Sequence, residues 1–184
     1  MPEGQVDTLT DGELASLVRY LSELGRTPEY SIGRRLFART WEVMQATDQA
    51  AYQLRRTSYG TAAGDDPAYT WQPQYSMVNG SLPLSDIPVV SVKNRSAAGT
   101  RGVGFARCYL QVETAGKVSI RLNDTSGLEV RLNQRPIDVD DTMTFDVTPG
   151  RHRLTFSVDR EVRNVPLQLE FLTDETTAVA TFVN

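Results

Sequence analysis

Tyr69, Trp71 and Tyr75 stand within one short stretch, Tyr69-Thr70-Trp71-Gln72-Pro73-Gln74-Tyr75, and are the densest recognition chemistry in the chain. A partly exposed indole or phenol offers a flat stacking surface for a ring-shaped ligand at low entropic cost. The same rings can instead plug the edge of a sheet, and the sequence leaves both readings open. Asn123 and Asp124, in a polar turn between two apolar-alternating segments, join Trp71 and Tyr75 as the expected ligand contacts. Asp138, Asp140 and Asp141 form a separate acidic group. Calcium needs about 6 to 8 oxygens around it, and three carboxylates without EF-hand spacing read as a solvated loop.

Residues suited to catalysis are sparse. His152 is the only imidazole, follows the turn Thr148-Pro149-Gly150-Arg151, and has no serine or cysteine beside it. A histidine that opens a strand is expected to hydrogen-bond backbone rather than to act as a base. Cys108, the only cysteine, alternates with Ala106 and Leu110 and is expected in the core as a small apolar group. Asp140 and Asp141 are adjacent, so in a strand they point to opposite faces instead of toward a common bond. No catalytic residue is assigned. An enzyme would require an activity that survives metal removal and fails with His152→Ala.

These residues need a scaffold, and the periodicity supplies one. Ile87 to Val92, Val103 to Thr114, Lys117 to Asn123, Leu128 to Asn133, Thr142 to Val147, His152 to Val158 and Pro166 to Phe171 are short apolar-alternating runs separated by Gly, Pro, Asn or Asp. This spacing predicts a mainly β chain, an antiparallel, jelly-roll-like sandwich of about seven to nine strands. Val118-Ile120-Leu122, Leu128-Val130-Leu132 and Leu154-Phe156-Val158 are expected to face the core. Ser119, Arg121, Arg131, Thr155 and Ser157 are expected to face solvent.

Before the sandwich, Thr10 and Glu13 stand at capping-box spacing and predict a helix start. Leu14, Leu17, Val18, Leu21 and Leu24 mark one apolar face, and Gly25 fits a C-terminal cap. That stripe needs cover from the β module or from a second copy of the chain, which would make a homodimer through the helix. Residues 26–83 read as a connector: a strand with Phe37, Trp41 and Val43 on one side, a helix from Gln49 to Tyr59 capped by Asp48, and an exposed loop from Gly60 to Pro67. The expected organisation is a terminal helix over 1–25, the connector over 26–83 and the sandwich over 84–184.

Two stretches of the chain resemble known families. Met1-Pro2-Glu3-Gly4, then Leu9-Thr10-Asp11-Gly12-Glu13-Leu14 and the helix to Leu24, resemble the final segment of the c-type cytochrome domain near the C-terminus of multidomain dehydrogenase-like proteins of planctomycete-type bacteria. The resemblance implies that Met1 occupies the axial-ligand position of the haem iron, and that this chain is the β-rich tail of a longer extracytoplasmic, periplasmic redox protein beginning upstream. It departs from that family in lacking a Cys-x-x-Cys-His motif, so no haem c is expected in this chain. The run from Gly116 to Ile137, followed by Thr148-Pro149-Gly150-Arg151-His152, is similar to PA14-like domains and to the accessory jelly rolls of glycoside hydrolases, several of which bind sugars. The paired aspartates that hold calcium in sugar-binding members are replaced by Asn123-Asp124-Thr125, so no metal is expected.

The net charge of −4 and the scatter of basic residues along the chain argue against nucleic acid as a partner. No apolar run approaches the roughly 20 residues of a membrane-spanning helix. The expectation is a non-catalytic β-sandwich accessory module with a short N-terminal helix. It would bind a carbohydrate or cell-envelope polymer, or else dock a cytochrome c or dehydrogenase domain.

Overall fold

The structure, a computed structural model, describes residues 10–23, 36–93 and 100–183. The chain divides into two units, residues 1–35 and 36–184. Helix α1, Asp11–Glu23, belongs to the first unit. Its N-terminus has the reciprocal geometry read from the sequence: the Thr10 amide donates to Glu13 Oε2 at 2.8 Å, and the Glu13 amide donates to Thr10 Oγ1 at 3.4 Å. The Thr10 amide and the Thr10 hydroxyl, which also donates to Oε2 at 2.8 Å, hold the Glu13 carboxyl below its ordinary pKa. Leu14, Leu17 and Val18 are exposed along α1. Met1, Leu24 and Gly25, together with the side chain of Leu21, lie outside the described residues.

In the second unit the strands are β1 (Leu36–Phe37), β2 (Thr40–Met44), β3 (Trp71–Tyr75), β4 (Ser81–Leu82), β5 (Val89–Lys93), β6 (Thr100–Thr114) and β7 (Gly116–Leu122). They continue as β8 (Leu128–Leu132), β9 (Arg135–Ile137), β10 (Thr142–Val147), β11 (Gly150–Asp159), β12 (Leu167–Phe171) and β13 (Val179–Val183). The small sheet runs β1-β12-β7-β10, with β4 also on β12. The large sheet runs β3-β2-β6-β11-β8-β9, with β5 and β13 also on β6. Every pairing is antiparallel, as expected of the sandwich.

The stretch 37–44 is two strands rather than one. Phe37 pairs in the small sheet and Thr40 in the large one, because the chain crosses between sheets at Ala38 and Arg39. Residues 36–82 supply β1 to β4, so the boundary expected at 83 does not separate the sheets. Strand β3 carries Pro73, which has no N–H to give a ladder, and accordingly lies at the sheet's edge. Strands β3, β4, β9 and β13 were not among the apolar-alternating runs. β4 and β9 are too short to show a period, and β3 alternates aromatic and polar residues around its proline.

Between the sheets lies one core, where Val118, Ile120 and Leu122 of β7 meet Trp41, Val43, Ala106, Cys108, Leu110, Val130, Leu154, Phe156 and Val158. Trp41 and Phe156 touch edge to face with centroids 5.7 Å apart, and the Trp41 indole N–H donates to Ala38 O at 3.1 Å. A second core lies on the other face of the large sheet. There Met44, Val90, Val92, Val103 and Phe105 pack against Ala50, Leu54, Ala62 and Tyr69.

Three expectations are overturned by the way the chain covers the two sheets. Helix α2 spans Asp48–Arg56 and is capped by Thr47, whose Oγ1 accepts from the Ala50 amide at 3.1 Å, so Asp48 is its first residue and Tyr59 lies beyond it. Within the expected loop at 60–67, a 3-10 turn, Tyr59–Ala63, buries Ala62 and Ala63. Ser119, Thr155 and Ser157 are buried rather than solvated, because Thr176 and Thr144 hydrogen-bond Ser119 on one sheet and the α2 layer lies over the other.

Phe156→Ala removes the ring that joins β11 to Trp41. It is expected to cost about 3–5 kcal/mol, read as a lower urea midpoint with little change in slope.

Candidate functional site

Strand register, not sequence proximity, builds the outer face of the large sheet. Pro73, Glu42, Arg107, Thr155, Arg131 and Pro136 form one cross-strand row through β3, β2, β6, β11, β8 and β9. In the parallel row toward α2, Trp71 pairs with Met44, and Phe105, Ser157 and Glu129 follow across β6, β11 and β8. One half of the face is therefore apolar and covered, and the other carries charge.

In the charged half, aromatics and guanidinium groups alternate. The Arg107 guanidinium carbon lies 4.1 Å from the centroid of Trp71 and 5.9 Å from that of Tyr109. The Arg151 guanidinium carbon lies 4.0 Å from the Tyr109 centroid. The order Trp71, Arg107, Tyr109, Arg151 is a stacked strip, in which each cation sits against the negative face of a ring. Glu42 fixes it by accepting from Arg107 Nε and from the Tyr109 hydroxyl, the latter at 2.8 Å. Burial and this hydrogen bond to Glu42 raise the Tyr109 pKa. Tyr75, two rungs beyond Pro73 from Trp71 on β3, is 67% exposed.

The aromatic cluster thus separates into different environments. Tyr69 is buried, its hydroxyl 2.6 Å from Thr61 Oγ1, and belongs to the second core. Trp71 is half-buried at that core's margin with Arg107 on its face. Tyr75 is open. Arg107, Tyr109 and Arg151 were not picked out from the sequence. The only signal for them is that they stand at odd positions along β6 and β11, opposite to the core-facing even ones.

Asn123 and Asp124 lie elsewhere, in the turn between β7 and β8. That end of the large sheet is four strand spacings from β3, about 19 Å at the usual interstrand distance. There they enclose the guanidinium of Arg163, whose side chain is 0% exposed. Arg163 Nη2 donates to Asn123 Oδ1 at 3.0 Å and to Pro166 O at 2.9 Å. Its Nη1 donates to Asp124 O at 2.8 Å and to Asp124 Oδ1 at 3.3 Å. Asn123 Nδ2 also donates to Pro166 O at 2.9 Å, and Asp124 Oδ1 accepts from the Ser126 amide at 2.7 Å. Burial lowers the Arg163 pKa, opposed by Asp124. Gly127 completes the turn with φ +65°, and a Cβ there would come within 3.1 Å of Asp159 O. These polar atoms hold two loops together, and the structure does not bring them near Trp71 and Tyr75.

Beside this clamp is a cleft of about 170 Å³ lined by Tyr59, Arg101, Glu129, Ser157 and Asp159. Arg101 Nε donates to buried Asp159 Oδ2 at 2.7 Å, and Asp159 Oδ1 accepts from the Glu161 amide at 2.9 Å. Burial alone would raise the Asp159 pKa, but these hydrogen bonds outweigh it and hold the carboxyl below its usual range. Burial raises the pKa of Tyr59. Asp138 and Asp140 line a shallow cleft of about 400 Å³ beside Thr142 and Thr144. Among the described residues no group of three or more His, Cys, Asp or Glu is placed to hold a metal ion.

His152 donates or accepts between backbone and amide: its Nε2 is 2.7 Å from Thr148 O, and its Nδ1 is 3.3 Å from Asn133 Nδ2. The carbonyl can only accept, which assigns the proton to Nε2 and leaves Nδ1 to accept from the amide. Cys108 is buried in the main core, and burial pushes its thiol pKa up, away from the reactive thiolate. Among the described residues no helix is long and apolar enough to cross a membrane. The chain matches none of the known family models and none of the curated protein sequences compared with it.

Arg163→Met takes the guanidinium donor from the Asp124 and Ser126 carbonyls and leaves Asn123 Oδ1 with the Gln168 amide alone, and a loss of about 2–4 kcal/mol is expected in chemical denaturation. The Asp159 contribution has the sign of a depressed carboxyl. It is present above the unfolded pKa near 3.9 and is lost as pH falls through the lower folded value. Acid unfolding of Asp159→Asn should therefore show a shallower loss of stability below about pH 4 than the parent.

Proposed function

We propose that the chain is a non-catalytic β-sandwich accessory module that binds a carbohydrate or cell-envelope polymer along the outer face of its large sheet. The observation that carries this reading is the stacked strip Trp71, Arg107, Tyr109, Arg151 with exposed Tyr75 beside it. Successive rings and guanidinium planes across neighbouring strands suit an extended ligand of repeating rings and hydroxyl groups better than a small enclosed one. The Glu42 pairing locks the strip before any ligand arrives, which lowers the entropic cost of binding. Asn123 and Asp124 are left out of the binding surface, since Arg163 occupies their polar atoms. The resemblance of residues 1–24 to the end of a cytochrome c domain implies an extracytoplasmic redox setting for the module, and the resemblance of residues 116–152 to PA14-like and glycoside-hydrolase accessory jelly rolls supports the sugar-binding reading.

A second reading has its own observation. Leu14, Leu17 and Val18 of α1 are exposed together, and an uncovered apolar face suits docking against a cytochrome c or dehydrogenase domain.

Tyr75→Ala discriminates best, because the ring is exposed and its removal leaves the second core intact. In affinity electrophoresis through soluble glucans, xylans and peptidoglycan fragments, it should weaken retention about tenfold, equivalent to roughly 1.4 kcal/mol, at unchanged thermal stability. Trp71→Ala should abolish retention and also lower stability, since that ring borders the second core. Retention unaffected by either substitution would sink the polymer reading.

A further inference from the structure

We infer that the outer face of the large sheet binds a tetrahedral oxyanion, sulfate or phosphate, at the Thr155 hydroxyl between Arg131 and Arg153. The register places Arg107 and Arg131 directly opposite Thr155 on its two neighbouring strands. Such cross-strand pairs have Cβ atoms about 4.5–5.5 Å apart. Arg153 precedes Thr155 by two residues on the same face of β11, about 6.6 Å along the strand. Arg131 and Arg153 therefore stand on two sides of this hydroxyl, while the Arg107 guanidinium is turned to Glu42 and Trp71 on the strands beyond β6.

The polar atoms of this group are unfinished. Thr155 is 2% exposed and its Oγ1 has no hydrogen-bond partner; the buried Nε atoms of Arg131 and Arg153 have none either. Buried polar atoms are rarely left so, and several in one place call for a ligand or water. Charge decides between these. Glu42 is engaged by Arg107 and Tyr109, and Asp65 together with Ala63 O takes the Nη groups of Arg153. The Arg131 side chain is half-buried and makes no hydrogen bond or ion pair among the described residues, including with Glu129 two positions earlier on β8. Water can satisfy hydrogen bonds but leaves this charge unpaired, whereas an oxyanion does both. Three unpartnered groups on two neighbouring strands, Arg131 Nε on β8 with Arg153 Nε and Thr155 Oγ1 on β11, suit the several oxygens of a tetrahedral anion better than the two of a carboxylate. Gly60 closes one side of the group: a Cβ there would lie 3.0 Å from the Arg131 guanidinium carbon. The backbone of the 3-10 turn thus rests against the guanidinium.

The anion is either free or a substituent of a larger molecule, and the test separates the two. Thermal unfolding is followed at constant ionic strength with sodium sulfate or sodium phosphate replacing sodium chloride, and separately with heparin or its desulfated form. A saturable rise in Tm with sulfate or phosphate, growing with the logarithm of concentration, is expected for a bound free anion. A rise with heparin alone, absent with desulfated heparin and with the inorganic salts, assigns the site to a sulfated glycan. In both cases Arg131→Met and Thr155→Val must abolish the saturable part while leaving the gradual, non-specific stabilisation by sulfate. Thr155→Val keeps shape and removes only the hydroxyl, so it serves where Arg131→Met folds poorly. Equal responses from the parent and both variants, or no saturable rise with any of the probes, would overturn the site. Tyr75→Ala should keep the anion response, so a failure of polymer binding and a failure of this site give different results.

Discussion

Strand β6 must satisfy backbone N–H and C=O groups along both of its edges from Thr100 to Thr114, and the rest of the sandwich is arranged around that demand. One edge is met by a single partner, β11, from Val103 to Val112. The other is met in succession by β5 along residues 100–104, by β2 at Ala106 and Arg107, and by β13 from Tyr109 to Thr114. Segments far apart in sequence must therefore converge on one strand. This makes residues 36–44 and 179–183 as much part of the sheet as its middle. Long-range pairing of this kind is entropically costly to nucleate, since each partner closes a long loop before its ladder forms.

Because β6 is buried on both faces over much of its length, its alternation has two different meanings. Even positions from Ala106 to Val112 fill the gap between sheets, while Val103 and Phe105 belong to the α2 layer. Two residues further along the same odd face, Arg107 and Tyr109 begin the charged strip. The α2 layer ends there, and the change of cover coincides with the change of side-chain chemistry. Thr155, Arg131 and Arg153 lie on this charged part of the face, partly beneath the 3-10 turn, whose Gly60 rests against the Arg131 guanidinium.

The sandwich was legible because Val118-Ile120-Leu122 and Leu154-Phe156-Val158 alternate without interruption, and one register satisfies them. The capping box of α1 was legible for a similar reason, as it depends on only two side chains and a fixed spacing. What sequence could not supply was the second layer. A hydroxyl at Thr155 or Ser157 looks solvent-facing in a strand pattern, and only the return of residues 47–69 over the sheet buries it. The division of the expected contacts has the same origin. Asn123 and Asp124 read as free ligand groups until Arg163, some forty residues later, is placed between them. Trp71 and Tyr75 were visible as aromatics, but the arginines that stack with Trp71 and Tyr109 come from other strands.

The choice of cation ties these features together. Of the 19 basic residues, only Lys93 and Lys117 are lysines; the rest are arginines. A guanidinium is planar and weakly hydrated, so Arg107 and Arg151 can lie against rings while their edges still donate, and Arg163 can bridge Asn123, Asp124 and Pro166 without exposure. A compact, strongly hydrated ammonium cannot do either at similar cost. A lysine at position 107 would leave Glu42 and Tyr109 paired but remove the flat contact with Trp71. The strip and the sheet edge it covers would then loosen together, because the stacking that shapes the surface is also what packs it.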